Sequence, residues 1–164
     1  MQLLKVKHFR QRPGYCGPAA LKILMSHYGA EATEAVLGRA SGCTSKYGTE
    51  HEGLAKAAQA FGFRAIVKSN ATYRDLDHWV NVKRQPVIVG WFSVYNGTAG
   101  DHYAVVTGLT KTHIVLDDPE SDGPTHRLPW KLFKGAWFDF VGKDNVNTCW
   151  GWMMGIEPID GGLE

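Results

Sequence analysis

The sequence of 164 residues contains no long apolar run. No stretch approaches the roughly 20 consecutive apolar residues of a membrane-spanning helix. Residues 1–7 (Met-Gln-Leu-Leu-Lys-Val-Lys) also lack the roughly 7–15-residue apolar core of a signal peptide. We therefore expect a cytoplasmic chain that does not insert into a membrane.

Cysteine is scarce, and its spacing is unpaired. The three thiols are Cys16, Cys43 and Cys149. An odd number of cysteines at these separations does not indicate a disulfide framework and suits a reducing compartment. The sequence also lacks C-x-x-C and H-x-x-x-H spacings, so we expect no metal and no cofactor. A metal site is the least favoured interpretation, and its candidate ligands are Cys16, His102 and Asp118, or His51 with Glu52.

An excess of one charge is absent as well. The formal net charge is +2, which gives no electrostatic support for a nucleic-acid partner. Repeats and low-complexity segments are also absent. With 44% hydrophobic and 21% charged residues, the composition is that of an ordinary globular protein. We expect one domain spanning residues 1–164.

What the sequence does contain is a cysteine at the start of a predicted helix. Leu21, Leu24, Met25 and Tyr28 form one apolar stripe at helical spacing, and a proline suits the first turn just after Cys16. Unpaired N–H groups and the helix dipole favour a thiolate at that position. Gln11 lies five positions earlier, and its amide is a candidate oxyanion donor. Alternatively, Cys16 is a small buried apolar residue.

Periodicity predicts helices in the first half of the chain and strands in the second, which favours an α+β fold. We expect helices over 31–40, from a Thr49/Glu52 capping box to residue 62, from a Thr72/Asp75 box to residue 83, and one turn over 129–135. Strands are expected over 3–9, 63–68, 87–92, 102–108, 112–117 and 150–156, with a longer loop over 96–100. The 109–111 connection is short enough for a hairpin.

Two further residues supply the partners that a nucleophilic cysteine needs. His102 opens one strand of the predicted hairpin, and Asp117 and Asp118 close the other, so the imidazole and a carboxylate are expected to meet. We favour Asp118 because Pro119 holds its backbone extended. A thiolate, an imidazole and a carboxylate that orients it are the components of a cysteine peptidase. Taken singly, the histidine is more often structural and the aspartate more often starts a turn.

The sequence resembles the papain-like bacteriocin-processing (double-glycine leader) peptidase family, in the form of its stand-alone members. The resemblance rests on Gln11, Tyr-Cys-Gly-Pro-Ala-Ala-Leu at 15–21, Gly-Asp-His-Tyr-Ala-Val-Val at 100–106 and Asp118-Pro119, and it extends from about residue 11 to residue 123. It implies an N-terminal helical lobe packed on a C-terminal antiparallel sheet. It also implies that Cys16 is the nucleophile, His102 the base, Asp118 the orienting group and Gln11 an oxyanion donor.

The chain departs from the pattern in two places. Four residues separate Gln11 from Cys16, where papain-like enzymes more usually have five, and Tyr15 stands where transporter-linked members commonly have aspartate. The implied activity is hydrolysis of a peptide or protein substrate, such as a leader peptide, with room for a separate transporter partner. The alternative is a peptidase-like domain that binds peptides without cleaving them. Further candidates are substrate contacts at Cys43, Tyr47 and Tyr95, and self-processing at Gly161-Gly162.

Overall fold

The computed structural model describes residues 1–93, 100–142 and 147–159. The first half contains α1 (Cys16–Ser26), α2 (Glu34–Ser41), α3 (His51–Ala60), β1 (Phe63–Lys68) and α4 (Tyr73–Asp77), which continues into a π-helix (His78–Val82). The second half contains β2 (Val87–Ser93), β3 (Gly100–Leu109), β4 (His113–Asp117), β5 (His126–Pro129), α5 (Trp130–Ala136), β6 (Phe138–Val141), β7 (Asn147–Trp150) and β8 (Trp152–Pro158). The predicted α+β fold is confirmed.

Helix starts depend on how the first N–H groups are satisfied. Helix α4 has the predicted capping box, in which Thr72 and Asp75 bond each other's backbone. Helix α2 begins at residue 34, three residues later than predicted, because the Thr33 side chain caps Val36 N–H at 3.2 Å. The predicted box at Thr49 is wrong: α3 begins at residue 51 and its N-cap is Glu50, which makes no side-chain cap.

The main sheet has six antiparallel strands in the order β1-β8-β2-β3-β4-β5. The predicted hairpin joins β3 to β4, with Val105 opposite Asp117. Strand β8, predicted to begin at 150, begins at 152 and lies between β1 and β2. A separate ribbon pairs β6 with β7 and places Asp139 opposite Cys149. The strand that follows the first three helices, β1, therefore belongs to the same sheet as the C-terminal strands.

Each face of the sheet has its own apolar core, as alternation along the strands requires. Helices α1 and α3 cover one face, where Leu21, Leu24, Leu54, Phe63, Ile88, Val105 and Met154 are buried. The π-helix and α5 cover the other, where Trp79, Val89, Trp91, Val106, Leu116 and Phe133 are buried. Full burial of one such side chain contributes about 1.5–3 kcal/mol, so the first core holds α1 firmly on β3.

The predicted strand over 3–9 is wrong, because no strand is assigned there. This segment makes a single backbone bond to the sheet, from Leu4 N–H to Thr107 O at 2.9 Å. Thr107 lies at the irregularity in the β3–β4 pairing, and both sides of β3 are already occupied by β2 and β4. Only one carbonyl is therefore left for the N-terminal segment.

Three sequence predictions fall wholly or mostly outside the described residues, namely the 96–100 loop, Tyr95 and Gly161-Gly162. Within the described ranges, none of the helices is both long and apolar enough to span a lipid bilayer.

Candidate active site

Cys16 is the first residue of α1, as the sequence predicts. Tyr15 precedes it as N-cap without a side-chain hydrogen bond, and the first turn contains no acidic residue. The amides of this turn therefore have no side-chain carboxylate or hydroxyl cap, and they favour an anion at the helix start. The partly buried sulfur lies in that field.

Gly17 allows the segment that contains Thr49 to pack closely beside Cys16. A side chain at this position would place its Cβ 2.8 Å from the Cβ and Oγ1 of Thr49. Thr49 and the residues after it lead into α3 and line the same cavity as Cys16. The Tyr103 hydroxyl fixes this wall by donating to Thr49 O at 2.9 Å. The Cys-Gly pair is therefore a steric requirement of the cleft.

His102 lies in β3 and contacts Asp118. The imidazole Nε2 donates to Asp118 Oδ1 at 2.5 Å, and the same oxygen accepts the Glu120 N–H at 2.9 Å. The histidine is 6% exposed and Asp118 is fully buried. The imidazole therefore meets a carboxylate, as expected from the sequence, and it is buried and fixed by this bond.

His102 and Cys16 line the same cavity. The thiol is close enough to the imidazole to raise its pKa. Burial alone would lower the pKa of His102, but the hydrogen bonds to Asp118 and Cys16 outweigh it and raise that pKa to about 10. Burial raises the pKa of Asp118, but its bond to His102 outweighs this and leaves the pKa below its usual value. Both shifts favour a His102 imidazolium paired with an ionised Asp118 carboxylate.

Asp117 points to a different histidine. Its Oδ1 lies 2.5 Å from His8 Nδ1, while His8 Nε2 donates to Ser121 O at 2.7 Å. The backbone of Gln11 also donates to Pro119 O at 2.7 Å. Residues 8–11 are thus tied to the turn that carries Asp118, and the two neighbouring aspartates have separate partners.

Gln11 lies beside this turn, and its side-chain amide contacts the neighbouring backbone. Its Nε2 contacts Arg12 O at 3.4 Å, which is a long and weak hydrogen bond. Gln11 does not line the described cavity, whereas Cys16 and His102 do. To act as an oxyanion donor, the amide has to exchange its weak contact with Arg12 O for one with a substrate oxygen.

The cavity beside Cys16 has a volume of about 320 Å³. Its lining includes Tyr47, one of the residues expected from the sequence to contact substrate. Cys43, another such residue, lies outside the lining, and its sulfur contacts Gly14 O at 3.5 Å. The lining carries four carboxylates, from Glu50, Glu52, Asp101 and Asp139. The described part of this wall includes no lysine or arginine.

Sequence reasoning missed a second imidazole–carboxylate pair in the same cavity. His51 Nε2 lies 2.6 Å from Asp139 Oδ2, although the two residues are 88 positions apart. It also missed Glu120, whose Oε2 lies 3.9 Å from His102 Nδ1. An Asp-Pro-Glu sequence could have revealed the turn at Glu120, because an aspartate oxygen commonly accepts the N–H two residues later. No local sequence signal indicates the pair formed by His51 and Asp139.

Comparisons with known proteins agree with this architecture. The model of the peptidase C39 family matches residues 6–140. An uncharacterised protein of Methanothermobacter thermautotrophicus is 35% identical over 104 residues, which cover 63% of this chain and 64% of that protein. The transport/processing ATP-binding protein ComA of Streptococcus pneumoniae is 30% identical over 136 residues, or 80% of this chain. The chain spans only 18% of ComA and 16% of the lactococcal protein LcnC.

Solved structures share the fold. The peptidase domain of Streptococcus ComA superposes with a TM-score of 0.73 at 24% identity, covering 94% of this chain and 98% of that domain. A C39-like peptidase from Bacillus anthracis gives a TM-score of 0.71 at 14% identity, covering 96% and 98%. The family match spans most of the sequence, and it confirms the resemblance on which the sequence prediction rested. The chain therefore belongs to the peptidase C39 family of cysteine peptidases.

Proposed function

We propose that this chain hydrolyses a peptide bond through Cys16, His102 and Asp118. The observation that carries the proposal is that His102, whose imidazole bonds Asp118 through Nε2, lines the same cavity as Cys16 and has its pKa raised by that thiol. An oriented imidazole beside a thiol at a helix start is the arrangement that activates a cysteine nucleophile.

In the first half of the reaction the Cys16 thiolate attacks the scissile carbonyl carbon and forms a tetrahedral oxyanion. The His102 imidazolium then gives its proton to the leaving amine, the C–N bond breaks, and a thioester remains on Cys16. Asp118 stabilises the imidazolium without accepting its proton. In the second half His102 removes a proton from water, which attacks the thioester and releases the acid.

The oxyanion needs hydrogen-bond donors that are in place before charge develops. The Cys16 backbone N–H is one proposed donor, since it lies in the first turn of α1. The Gln11 amide is the second, after its side chain rotates away from Arg12 O. The bond from Gln11 N–H to Pro119 O keeps this residue beside the catalytic turn and makes that rotation local.

The proposed substrate is a leader-type peptide with small residues at the cleavage site. A cavity of about 320 Å³ is at the small end of ligand clefts and suits residues such as glycine. One structural neighbour is a double-glycine-motif protease from a transporter, solved with the leader peptide, and LcnC and ComA are transport/processing proteins. By extension, we propose that this chain is a cytoplasmic peptidase that acts beside a separate transporter. The three free thiols support that compartment.

The test is cleavage of a synthetic peptide library with a central Gly-Gly and varied flanking residues, read by mass spectrometry. We expect the wild-type chain to cleave after the glycines and to prefer neutral or basic flanking residues, because the cavity wall carries four carboxylates. The Cys16→Ala variant should lose at least about a thousandfold in kcat/KM. The Gln11→Ala variant should lose about a hundredfold in kcat.

Cys43→Ala is the matched control, because its thiol lies close to the site but outside the cavity, and it should keep wild-type cleavage. Cleavage that survives in Cys16→Ala contradicts the proposal. Binding of Gly-Gly peptides without any cleavage by the wild-type chain identifies instead the peptide-binding domain that was the alternative from the sequence.

A further inference from the structure

A second cluster of reactive side chains lies where the β6–β7 ribbon meets the start of α3. Its members are His51, Asp139 and Cys149, and one ligand atom of each lies within 4.8 Å of the other two. Asp139 and Cys149 are directly opposite in the ribbon, which places both side chains on one face. His51, the first residue of α3, contributes its Nε2 to the same point.

Asp139 has a buried oxygen without a partner. The residue is 4% exposed, its Oδ2 bonds His51, and its Oδ1 contacts no hydrogen-bond donor in the described part of the chain. Burial of an ionised carboxylate is expensive unless it is paired or binds a metal. Gly90 makes room for it, because a Cβ there would lie 2.5 Å from Asp139 Oδ2. Gly90 therefore leaves space for this carboxylate, but one of its two oxygens lacks a hydrogen-bond partner in the described part of the chain.

The surroundings fix the ligands and supply negative charge. The His51 ring is stacked on Trp152 with centroids 4.2 Å apart, which sets the direction of Nε2. Asp101 adds a further carboxylate to the same cavity. In the described part of the chain, the Cys149 sulfur makes one long polar contact, at 3.5 Å to Ser69 Oγ, which a metal can displace. A cation at this point would relieve the repulsion among the acidic groups.

We propose that His51, Asp139 and Cys149 bind a divalent cation of the zinc class. One imidazole, one carboxylate and one thiolate are ligands that Zn²⁺ and Co²⁺ accept, whereas Ca²⁺ and Mg²⁺ prefer oxygen ligands alone. The metal takes the place of the proton on His51 Nε2, which moves to Nδ1 of the same ring, and of the Cys149 thiol proton, which passes to solvent. Cys149 moves about an ångström inward to reach a metal–sulfur bond of ~2.3 Å. A fourth, non-protein position remains for water.

This site differs from the metal centres considered from the sequence. His51 with Glu52 was one of those, but the other two residues of the observed cluster are 88 and 98 positions away from His51. Because His51 and Asp139 line the cavity that Cys16 also lines, metal binding there places a cation beside the peptidase site. The proposal itself does not depend on peptidase activity.

The test uses tag-free protein carrying Cys16→Ala, which removes the competing thiol–imidazole pair. Titration with Zn²⁺ should show one ion bound per chain, and Co²⁺ should give a thiolate-to-metal charge-transfer band in the near ultraviolet. Adding Cys149→Ser should abolish the band and weaken Zn²⁺ binding at least about 100-fold, since even partners outside the ligand set contribute 10–100-fold.

Cys43→Ser in the same background is the matched control and should leave both signals unchanged. Addition of His51→Asn should keep the thiolate available yet weaken binding, and circular dichroism should show that each variant is folded. No Zn²⁺ binding to the folded Cys16→Ala protein overturns the proposal. A charge-transfer band that persists in Cys149→Ser, or disappears in Cys43→Ser, overturns it as well.

Discussion

Replacement of Asp118 by asparagine tests the electrostatic basis of the site. Asparagine keeps an oxygen that can accept the His102 N–H but removes the negative charge. The pKa of His102 is raised from 6.5 to about 10 in the folded chain, with the Asp118 hydrogen bond as the main raising contribution. A neighbouring opposite charge typically shifts a pKa by about 1–3 pH units. Asp118→Asn should therefore lower the pKa of His102 by roughly 2 pH units, which corresponds to about 3 kcal/mol less stabilisation of the imidazolium relative to the neutral ring.

The assay is an NMR pH titration of the imidazole carbons, with the seven histidines of the chain distinguished by a His102→Gln variant. Asp117→Asn is the matched control, because Asp117 bonds His8 and leaves His102 alone. An unchanged His102 titration in Asp118→Asn would refute the reasoning. A shift of His102 in Asp117→Asn of the same size would refute it too.

The same shift makes stability depend on pH. Because the folded pKa of His102 lies above its unfolded value, its contribution is fully present below pH 6.5 and is lost as the pH rises to about 10. At pH 7 this contribution is at most about 4 kcal/mol, part of which belongs to Cys16. A rise from pH 7 to pH 10 should therefore lower the free energy of unfolding of the wild-type chain more than that of Asp118→Asn. Urea unfolding at each pH measures the two losses. Equal losses in the two proteins would contradict this assignment.

Two other predictions follow from the site. At pH 6 iodoacetamide should alkylate Cys16 faster than the other two thiols, whose pKa values are raised mainly by burial, and His102→Ala should remove the difference. Peptide mapping by mass spectrometry measures this, and equal rates in the wild type would contradict it. Tyr103→Phe removes the bond to Thr49 O and should lower the free energy of unfolding by about 1–2 kcal/mol and also lower kcat/KM. Tyr28→Phe removes a similar bond to a strand carbonyl outside the cavity lining, and it should lower stability alone.

Local interactions explain which parts of the fold could be predicted. Helix α1 and the Thr72 box depend on residues within a few positions, and both predictions are confirmed. The box at Thr49 has the same sequence signal but fails, because the Thr49 side chain packs against Gly17 and its carbonyl binds Tyr103. Tertiary contacts at the cleft outweigh the local preference there.

In the candidate site as well, contacts set by short-range pairing were predictable and contacts between distant segments were not. A hairpin with Val105 opposite Asp117 brings residue 120 beside residue 102, so the approach of His102 to this turn follows from a short-range register. The approach of His51 to Asp139 depends instead on a four-residue strand, β6, which carries no clear alternation. Segments that short give little periodic signal, which is why β5, β6 and β7 were not predicted.

The interior position of β8 affects the order in which the fold can be completed during synthesis. Strand β1 bonds only β8 within the main sheet, yet about 84 residues separate Lys68 from Trp152. At roughly 5–20 residues per second, translation of that interval takes about 4–17 s. Once Asp118 has been added, about 34 residues before Trp152, the nascent chain contains the thiol, imidazole and carboxylate, but the sheet beneath them still lacks an inner strand. A complete cleft is therefore expected only after nearly all of the described residues have been synthesised.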